Sequence, residues 1–265
     1  MKNMFKYYLS NKRRGISLIF IMALTVFSIY FVTSLVQSIF STVEYSNIAC
    51  LNDFSFVYPV GGSSFLSDET VEKIQKDDSV KKAYPILLEY TVINNIFGTT
   101  SGYAAFMEEA DIKEIFNDYS LTVTEGRLPQ KNSYELIMHE DTLKNKGLSV
   151  GDTFGSAVDD GEPIEGTYTI TGAFSGNSYM AFGTKSYKQK ELEELGLDFQ
   201  NTTFGLLVTP KADLDTMNTM LDTMSHDEAA AMTLSYAQKT LKDNVSSIKF
   251  LMGVIVIVIA VSISA

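Results

Sequence analysis

The chain has 265 residues, 45% of them hydrophobic, with 21 Lys plus Arg against 32 Asp plus Glu. A net charge of −11 excludes nucleic acid as a partner, because phosphate binding needs a basic face, and an aromatic share of 12% leaves too much apolar surface for general disorder. A single cysteine, Cys50, excludes an intrachain disulfide scaffold.

These averages conceal two greasy ends around a long acidic middle, so a compact soluble domain is excluded as well. Lys2, Lys6, Lys12, Arg13 and Arg14 open the chain without an acidic residue, and Met1, Phe5, Tyr8 and Leu9 recur among them at helical spacing. Residues 1–15 therefore read as a cytoplasmic basic segment, either an amphipathic helix lying on the inner leaflet or a frayed basic tail. Residues 16–43 follow as the first transmembrane helix. Gly15 to Val43 carries no charge, and at about 1.5 Å per residue it exceeds the roughly 30 Å hydrocarbon core. It is too long for the apolar region of a cleaved signal peptide and no A-x-A site follows. Cations before it and the acids Glu44 and Asp53 after it place the N-terminus in the cytoplasm by the positive-inside rule.

The ends carry +4 (residues 1–44) and +1 (245–265), so the middle, 45–244, carries −16 of the total −11. It begins with a strand, Phe54 to Tyr58, then Ser67 as cap of a helix reaching Lys76. Two strands follow, Val80 to Tyr84 and Ile86 to Ile93, split by Pro85, so that the loop opens as β-α-β. Asn94, Asn95 and Gly98 mark a turn, Tyr103 to Met107 a strand and Asp111 to Phe116 a short helix. Leu136 to His139, Thr153 to Ala157, Tyr168 to Phe174 and Tyr179 to Phe182 read as strands, with a helix at Asp141 to Lys146. A last strand, Thr203 to Thr209, closes at Pro210 and leads to a helix in which Leu214, Met217, Leu221 and Met224 form one apolar stripe. An α/β layer thus opens and closes residues 44–233, around a β-rich insertion at about 120–202.

From there Leu234, Ala237, Leu241, Val245, Ile248 and Met252 recur near a 3.5-residue interval, a pattern for a stalk helix over 234–249 that packs along one seam and either carries motion between domain and bilayer or simply packs on the first transmembrane helix. Phe250 to Ala265 is a second apolar segment of sixteen residues, about 24 Å as a helix and short of the bilayer. It is expected to be the start of a second transmembrane helix, truncated, in a longer protein.

Catalytic constellations are not expected. There is no G-x-x-x-x-G-K-[ST] and no H-E-x-x-H; His139 and His226 are far apart, and His139-Glu140-Asp141 reads as a solvated polar cluster rather than a metal pair. Asp159-Asp160-Gly161-Glu162 lacks the spacing of a calcium loop and reads as an exposed turn. Cys50 reads as a buried or lipid-proximal thiol. Phe174, Tyr179 and Phe182 fit either an apolar contact surface or inward-facing strand positions, the second being the ordinary use of such residues. No catalytic, cofactor-binding or metal residues are assigned, no substrate-contacting residue is identified, and the chain is expected not to be an enzyme.

The basic start running into a span, then Glu125-Gly126-Arg127-Leu128-Pro129 with Glu135-Leu136-Ile137, then Lys146-Gly147-Leu148-Ser149-Val150-Gly151-Asp152-Thr153, then Tyr168-Thr169-Ile170-Thr171-Gly172-Ala173-Phe174, resembles the permease subunits of the MacB and FtsX-like (type VII) ABC transporters. The resemblance spans the first helix, most of the extracytoplasmic region and the start of the second helix. It implies an α+β membrane protein: two transmembrane helices flank an extracytoplasmic α/β porter-like domain with a β-rich insertion. It further implies a plasma-membrane location, a separate ABC ATPase subunit that holds the ATP, pairing with a second permease copy or homologue, and export or extraction of a peptide, antibiotic or lipoprotein-like substrate. The family's remaining spans and its cytoplasmic coupling helix are absent from this sequence. The competing expectation is a membrane-tethered extracytoplasmic sensor or binding module that signals to a partner protein.

Overall fold

The computed structural model describes residues 12–44, 48–95, 98–131, 133–185, 193, 196, 202–224, 229–243 and 253. They fall into two compact units, one of Met1–Ser41 with Leu241–Ala265 and one of Thr42–Thr240.

The first unit contains most of α1 (Lys12–Val43), one unbroken helix. Its stretch Gly15–Val43 is long and apolar enough to cross a membrane. Ile19, Phe20 and Tyr30 are about two-thirds exposed or more, a surface that water would penalise and hydrocarbon would not. Thr25, Ser28 and Thr33 each donate their hydroxyl at 2.8 Å to the carbonyl four residues earlier, so no hydroxyl of this trio needs a water partner. The basic segment before Lys12, and the residues from 244 on apart from Gly253, lie outside the described residues.

The second unit is built on two sheets. The first has β1 (Ser55–Pro59), β2 (Val80–Pro85), β10 (Leu206–Pro210) and β11 (Ala229–Met232) in the order β11-β1-β10-β2, each neighbour antiparallel. β1 and β2 are joined by α2 (Asp68–Gln75), β10 and β11 by α5 (Leu214–Met224). Two interleaved split β-α-β units result, the ferredoxin-like arrangement. The opening β-α-β expected from the sequence is present, but β10 from the far end of the loop lies between its two strands. Ser67 caps α2 by accepting from the Thr70 amide at 3.3 Å. Ile74, Met217 and Leu221 from the two helices pack on Val57, Val80, Leu206 and Val208.

At Ile86 the chain leaves this sheet, its amide donating to the Gly205 carbonyl at 2.9 Å. The second sheet holds β3 (Leu87–Asn95), β4 (Gly98–Met107), β5 (Thr122–Gly126), β6 (Glu135–His139), β8 (Tyr168–Ser175) and β9 (Met180–Thr184), in the order β3-β4-β9-β6-β8-β5, with β7 (Thr153–Phe154) on β8. Its first strand starts well upstream of the insertion boundary expected near 120, because β3 and β4 form a hairpin of the second sheet rather than of the first. Alternation along the strands feeds two cores, as a strand covered on both faces requires. Tyr103, Ala105, Met107, Ile137, Phe174 and Phe182 join Phe56, Tyr84 and Leu207 of the first sheet and α3 (Glu109–Asp118) in one cluster. Ala104, Phe106, Leu136, Met138 and Ile170 face the other way, where Leu143 of α4 (Glu140–Lys146) covers them. The free edge of β3 is closed at Asn94, whose amide and carbonyl both bond the Asn145 side chain, at 2.8 and 2.9 Å.

Candidate functional site

The first candidate is the root of the helix over 234–243, α6, which begins directly after β11. Thr233 is fully buried and its Oγ1 accepts from the Tyr236 amide at 3.2 Å, the geometry of an N-cap. The same hydroxyl donates to Asp222 Oδ1 at 2.9 Å, and Ser235 Oγ donates to Asp222 Oδ2, also at 2.9 Å. Asp222 sits on α5, so one carboxylate holds the first turn of α6 to the helix that packs on the first sheet. Leu234 and Ala237 are half-buried against the core shared by both sheets, and Leu241 is half-buried as well. Val245, Ile248 and Met252 of the expected stalk lie outside the described residues. Heptad spacing pointed to Leu234 and Ala237; Asp222 and Ser235 left no local signal, since their meeting depends on a return of the chain through β11.

The second candidate is the place where the quoted motifs meet. Gly126, the end of β5, is the register partner of Gly172 on β8, and the Arg127 amide donates to the Thr171 carbonyl at 2.9 Å. A β carbon on Gly126 would lie 2.1 Å from the Thr171 oxygen, and one on Gly172 would lie 2.4 Å from the Arg127 oxygen. Only glycine permits the two backbones to approach so closely. Arg127 then makes a two-pronged ion pair with Glu135 of β6 at 2.6 and 2.7 Å, and Glu135 also accepts from the Gln130 amide at 2.9 Å. Hydrogen bonds from the Arg127 guanidinium hold the Glu135 carboxyl down at about 2. The Gly147 to Thr153 segment reaches the same strand: Gly147 ends α4 in a left-handed conformation with φ 68°, and the Gly151 amide donates to the Ile170 carbonyl at 2.7 Å. Three stretches separated in sequence are therefore all docked on β8.

The remaining candidates are corrected or placed. His139 is not solvated: it is 3% exposed, its ring 4.1 Å from that of Tyr179. Its Nδ1 accepts from the Asp141 amide at 3.2 Å as the cap of α4, so its proton is on Nε2, which donates to the Gly176 carbonyl at 3.1 Å. The strand carries it inward, where the polar neighbours Glu140 and Asp141 do not follow. Glu162 of the acidic run is not an exposed turn residue either. It is 3% exposed and pairs with Lys146 at 2.8 Å, whereas Asp159 and Asp160 are exposed. Cys50 is buried, and burial pushes its thiol up to about 12, far from the thiolate. Phe174 and Phe182 are core residues with no exposure, and Tyr179 is half-buried. His226 lies outside the described residues. No group of three or more His, Cys, Asp or Glu able to hold a metal occurs among the described residues.

Burial holds the His139 ring below its ordinary value near 6.5. As the pH falls below that value the unfolded chain takes up a proton that the folded chain refuses, so stability is full above it and declines toward the folded value. Thermal midpoints measured from pH 8 to pH 5 should therefore fall on the acid side. A His139→Asn variant, which keeps a capping side chain, should flatten that decline.

The second unit is thus defined as a ferredoxin-like α/β layer that carries a mixed, largely buried β-sheet between its second and third strands. No family model and no curated protein matches the chain. Among solved structures it is similar to the periplasmic region of MacB from Actinobacillus actinomycetemcomitans, at 12% identity over 74% of this chain and 96% of that one, with a TM-score of 0.40. It is also similar to the extracellular domain of the noncanonic ABC-type transporter YknZ from Gram-positive bacteria, at 11% identity over 68% of this chain and 99% of that one, with a TM-score of 0.37.

Proposed function

We propose that the chain is the N-terminal portion of an ABC transporter permease of the MacB/FtsX type, with its N-terminus in the cytoplasm and residues 44–249 outside. It is not itself an enzyme: a separate ABC ATPase hydrolyses ATP, a second permease copy completes the transporter, and the outer domain receives the resulting motion to export or extract a peptide, antibiotic or lipoprotein-like substrate. The observation that carries the reading is the root of α6. A helix continuing in sequence toward a second apolar segment starts from a buried cap, is tied to α5 through both oxygens of Asp222, and presses Leu234 and Ala237 into the core between the sheets. A displacement of such a helix is passed to packed elements rather than absorbed by a loop, because close-packed cores transmit strain. The order of motifs along the sequence supplies the family.

The test is made in whole cells and membranes with the full coding sequence. An impermeant thiol reagent should label Asp160→Cys, which is exposed, and leave Asn11→Cys unlabelled, each in a Cys50→Ala background. Affinity purification from the same membranes should bring down an ABC ATPase. The reverse labelling pattern sinks the orientation. Recovery of a kinase or hydrolase in place of an ATPase sinks the transport reading and favours the sensor.

A further inference from the structure

The outer edge of β3 is bonded toward both ends and open between them. In an antiparallel pair every second residue turns its N–H and C=O away from the partner strand. Asn94, whose amide and carbonyl both leave the ladder for Asn145, sets which residues these are on β3. With no register shift along the pairing to β4, they are Leu88, Tyr90, Val92 and Asn94. The Val92 amide is answered by Glu162 Oε2 at 3.5 Å. Ile86, one step before Leu88 in the same alternation, donates to the Gly205 carbonyl at 2.9 Å. Among the described residues nothing bonds the outward N–H and C=O of Leu88 or Tyr90. Backbone groups without a protein partner face water, and Tyr90 is 44% exposed. The gap is a short slot of two donors and two acceptors, with filled positions on either side.

Tyrosine rings flank the slot. That of Tyr90 lies 5.7 Å from the ring of the buried Tyr103. The half-buried Tyr58 of β1 has its hydroxyl pushed above the ordinary range by burial and by the neighbouring phenols of Tyr236 and Tyr90, so these three stand together. Tyr236, on the first turn of α6, is 53% exposed. Donors and acceptors at alternate residues of a strand edge are matched by another extended backbone, the pairing used in strand addition. The same edge of a second copy does not fit. Antiparallel pairing over Leu88 and Tyr90 would set Val92 of one copy against Ile86 of the other, where both positions are already bonded. Charge selects among peptides: the acidic excess of residues 45–244 outweighs Lys239, one turn beyond Tyr236, and exposed tyrosine faces attract cations. We propose that an extended basic peptide adds to β3 at Leu88 and Tyr90, its backbone completing the edge and its Lys or Arg side chains lying over Tyr90 and Tyr236. The inference does not rest on the transport reading, since an edge strand takes up a peptide whatever the chain's role in the membrane.

The test uses the full chain in detergent micelles, with empty micelles as the blank, and three fluorescein-labelled pentapeptides. The first is Lys-Val-Tyr-Val-Lys with blocked ends, the second is the same peptide with every backbone amide N-methylated, and the third carries Glu in place of both Lys. Anisotropy should show saturable binding of the first, and the other two should bind about tenfold more weakly or worse, through lost backbone hydrogen bonds and through charge. Hydrogen exchange resolved to single residues should show the Leu88 and Tyr90 amides exchanging fast in the free chain and about tenfold or more slowly with the first peptide, while Asn94 does not change. Tyr236→Ala, at an exposed position, should weaken binding about three- to tenfold with an unchanged thermal midpoint. Phe65→Ala, which removes a ring 48% exposed on another loop, should leave binding as it was. Equal binding of the N-methylated peptide overturns the inference, as does a Phe65→Ala loss matching that of Tyr236→Ala, since either means nonspecific adhesion to rings. Slow exchange at Leu88 and Tyr90 that depends on protein concentration without peptide overturns it in favour of a second copy. No binding of the first peptide overturns it outright.

Discussion

Gly172→Ala should destabilise the outer domain by about 3 kcal/mol, at the upper end of overpacking costs, and lower its thermal midpoint by roughly 6–12 °C for a domain of this size. The added carbon would lie 2.4 Å from the Arg127 oxygen, 3.0 Å from the Arg127 nitrogen and 3.0 Å from the Glu125 oxygen. All three are backbone atoms, so no rotamer change relieves the clash and β5 has to move off β8. Gly126→Ala meets the Thr171 oxygen from the opposite strand and must also hold φ +70°, which adds about 1–2 kcal/mol for a residue with a β carbon. Gly161→Ala is the control. It meets only the Asp159 carboxylate, a movable side chain, at 3.2 Å, and should stay within about 0.5 kcal/mol of the parent. Near-ultraviolet circular dichroism on the 14 tyrosines reports the unfolding of the full chain in detergent. A Gly172→Ala midpoint within a degree of the parent would mean that β5 and β8 do not approach as described.

Phe182→Ala should cost about 3–5 kcal/mol, the usual range for removing a buried aromatic ring. Phe182 has no exposed surface and its ring centroid lies 5.5 Å from that of Phe116 on α3 and 5.8 Å from that of Phe174 on β8. The lost ring therefore leaves a hole in the core that joins the inserted sheet to the ferredoxin-like sheet. Tyr179→Ala, at a half-buried position just before the strand begins, should cost clearly less. Denaturant midpoints of the two variants provide the measurement; equal costs would contradict the inward placement of Phe182.

Much of the α/β layer was legible in the sequence because its signals are local. Ser67 followed by Asp68 and Glu69 marks a capped helix start, and the stripe Leu214, Met217, Leu221 marks the helix whose Met217 and Leu221 are buried. Other features were not legible for reasons that can be named. β11 is Ala-Ala-Ala-Met, a sequence with helical propensity, held extended because it pairs with β1 from Phe56↔Met232 to Pro59↔Ala229. Glu162 sits in a polar run that reads as surface, and its burial is tolerable because Lys146, sixteen residues upstream, and Thr91, on β3, both donate to its carboxylate. His139 is flanked by two carboxylates in sequence, yet strand pleating points it at Tyr179 and Phe174.

By itself the sequence determined that an uncharged helix long enough for a bilayer precedes an acidic α/β region, because hydropathy and the 3.6-residue and two-residue periods are properties of neighbouring positions. The tertiary structure alone decided that β10 lies between β1 and β2, that Gly126 meets Gly172, and that Asp222 holds the start of α6. Those outcomes are pairings between residues far apart along the chain. Their energy comes from contacts that exist only once both partners have been brought together, so no local stretch carries a record of them.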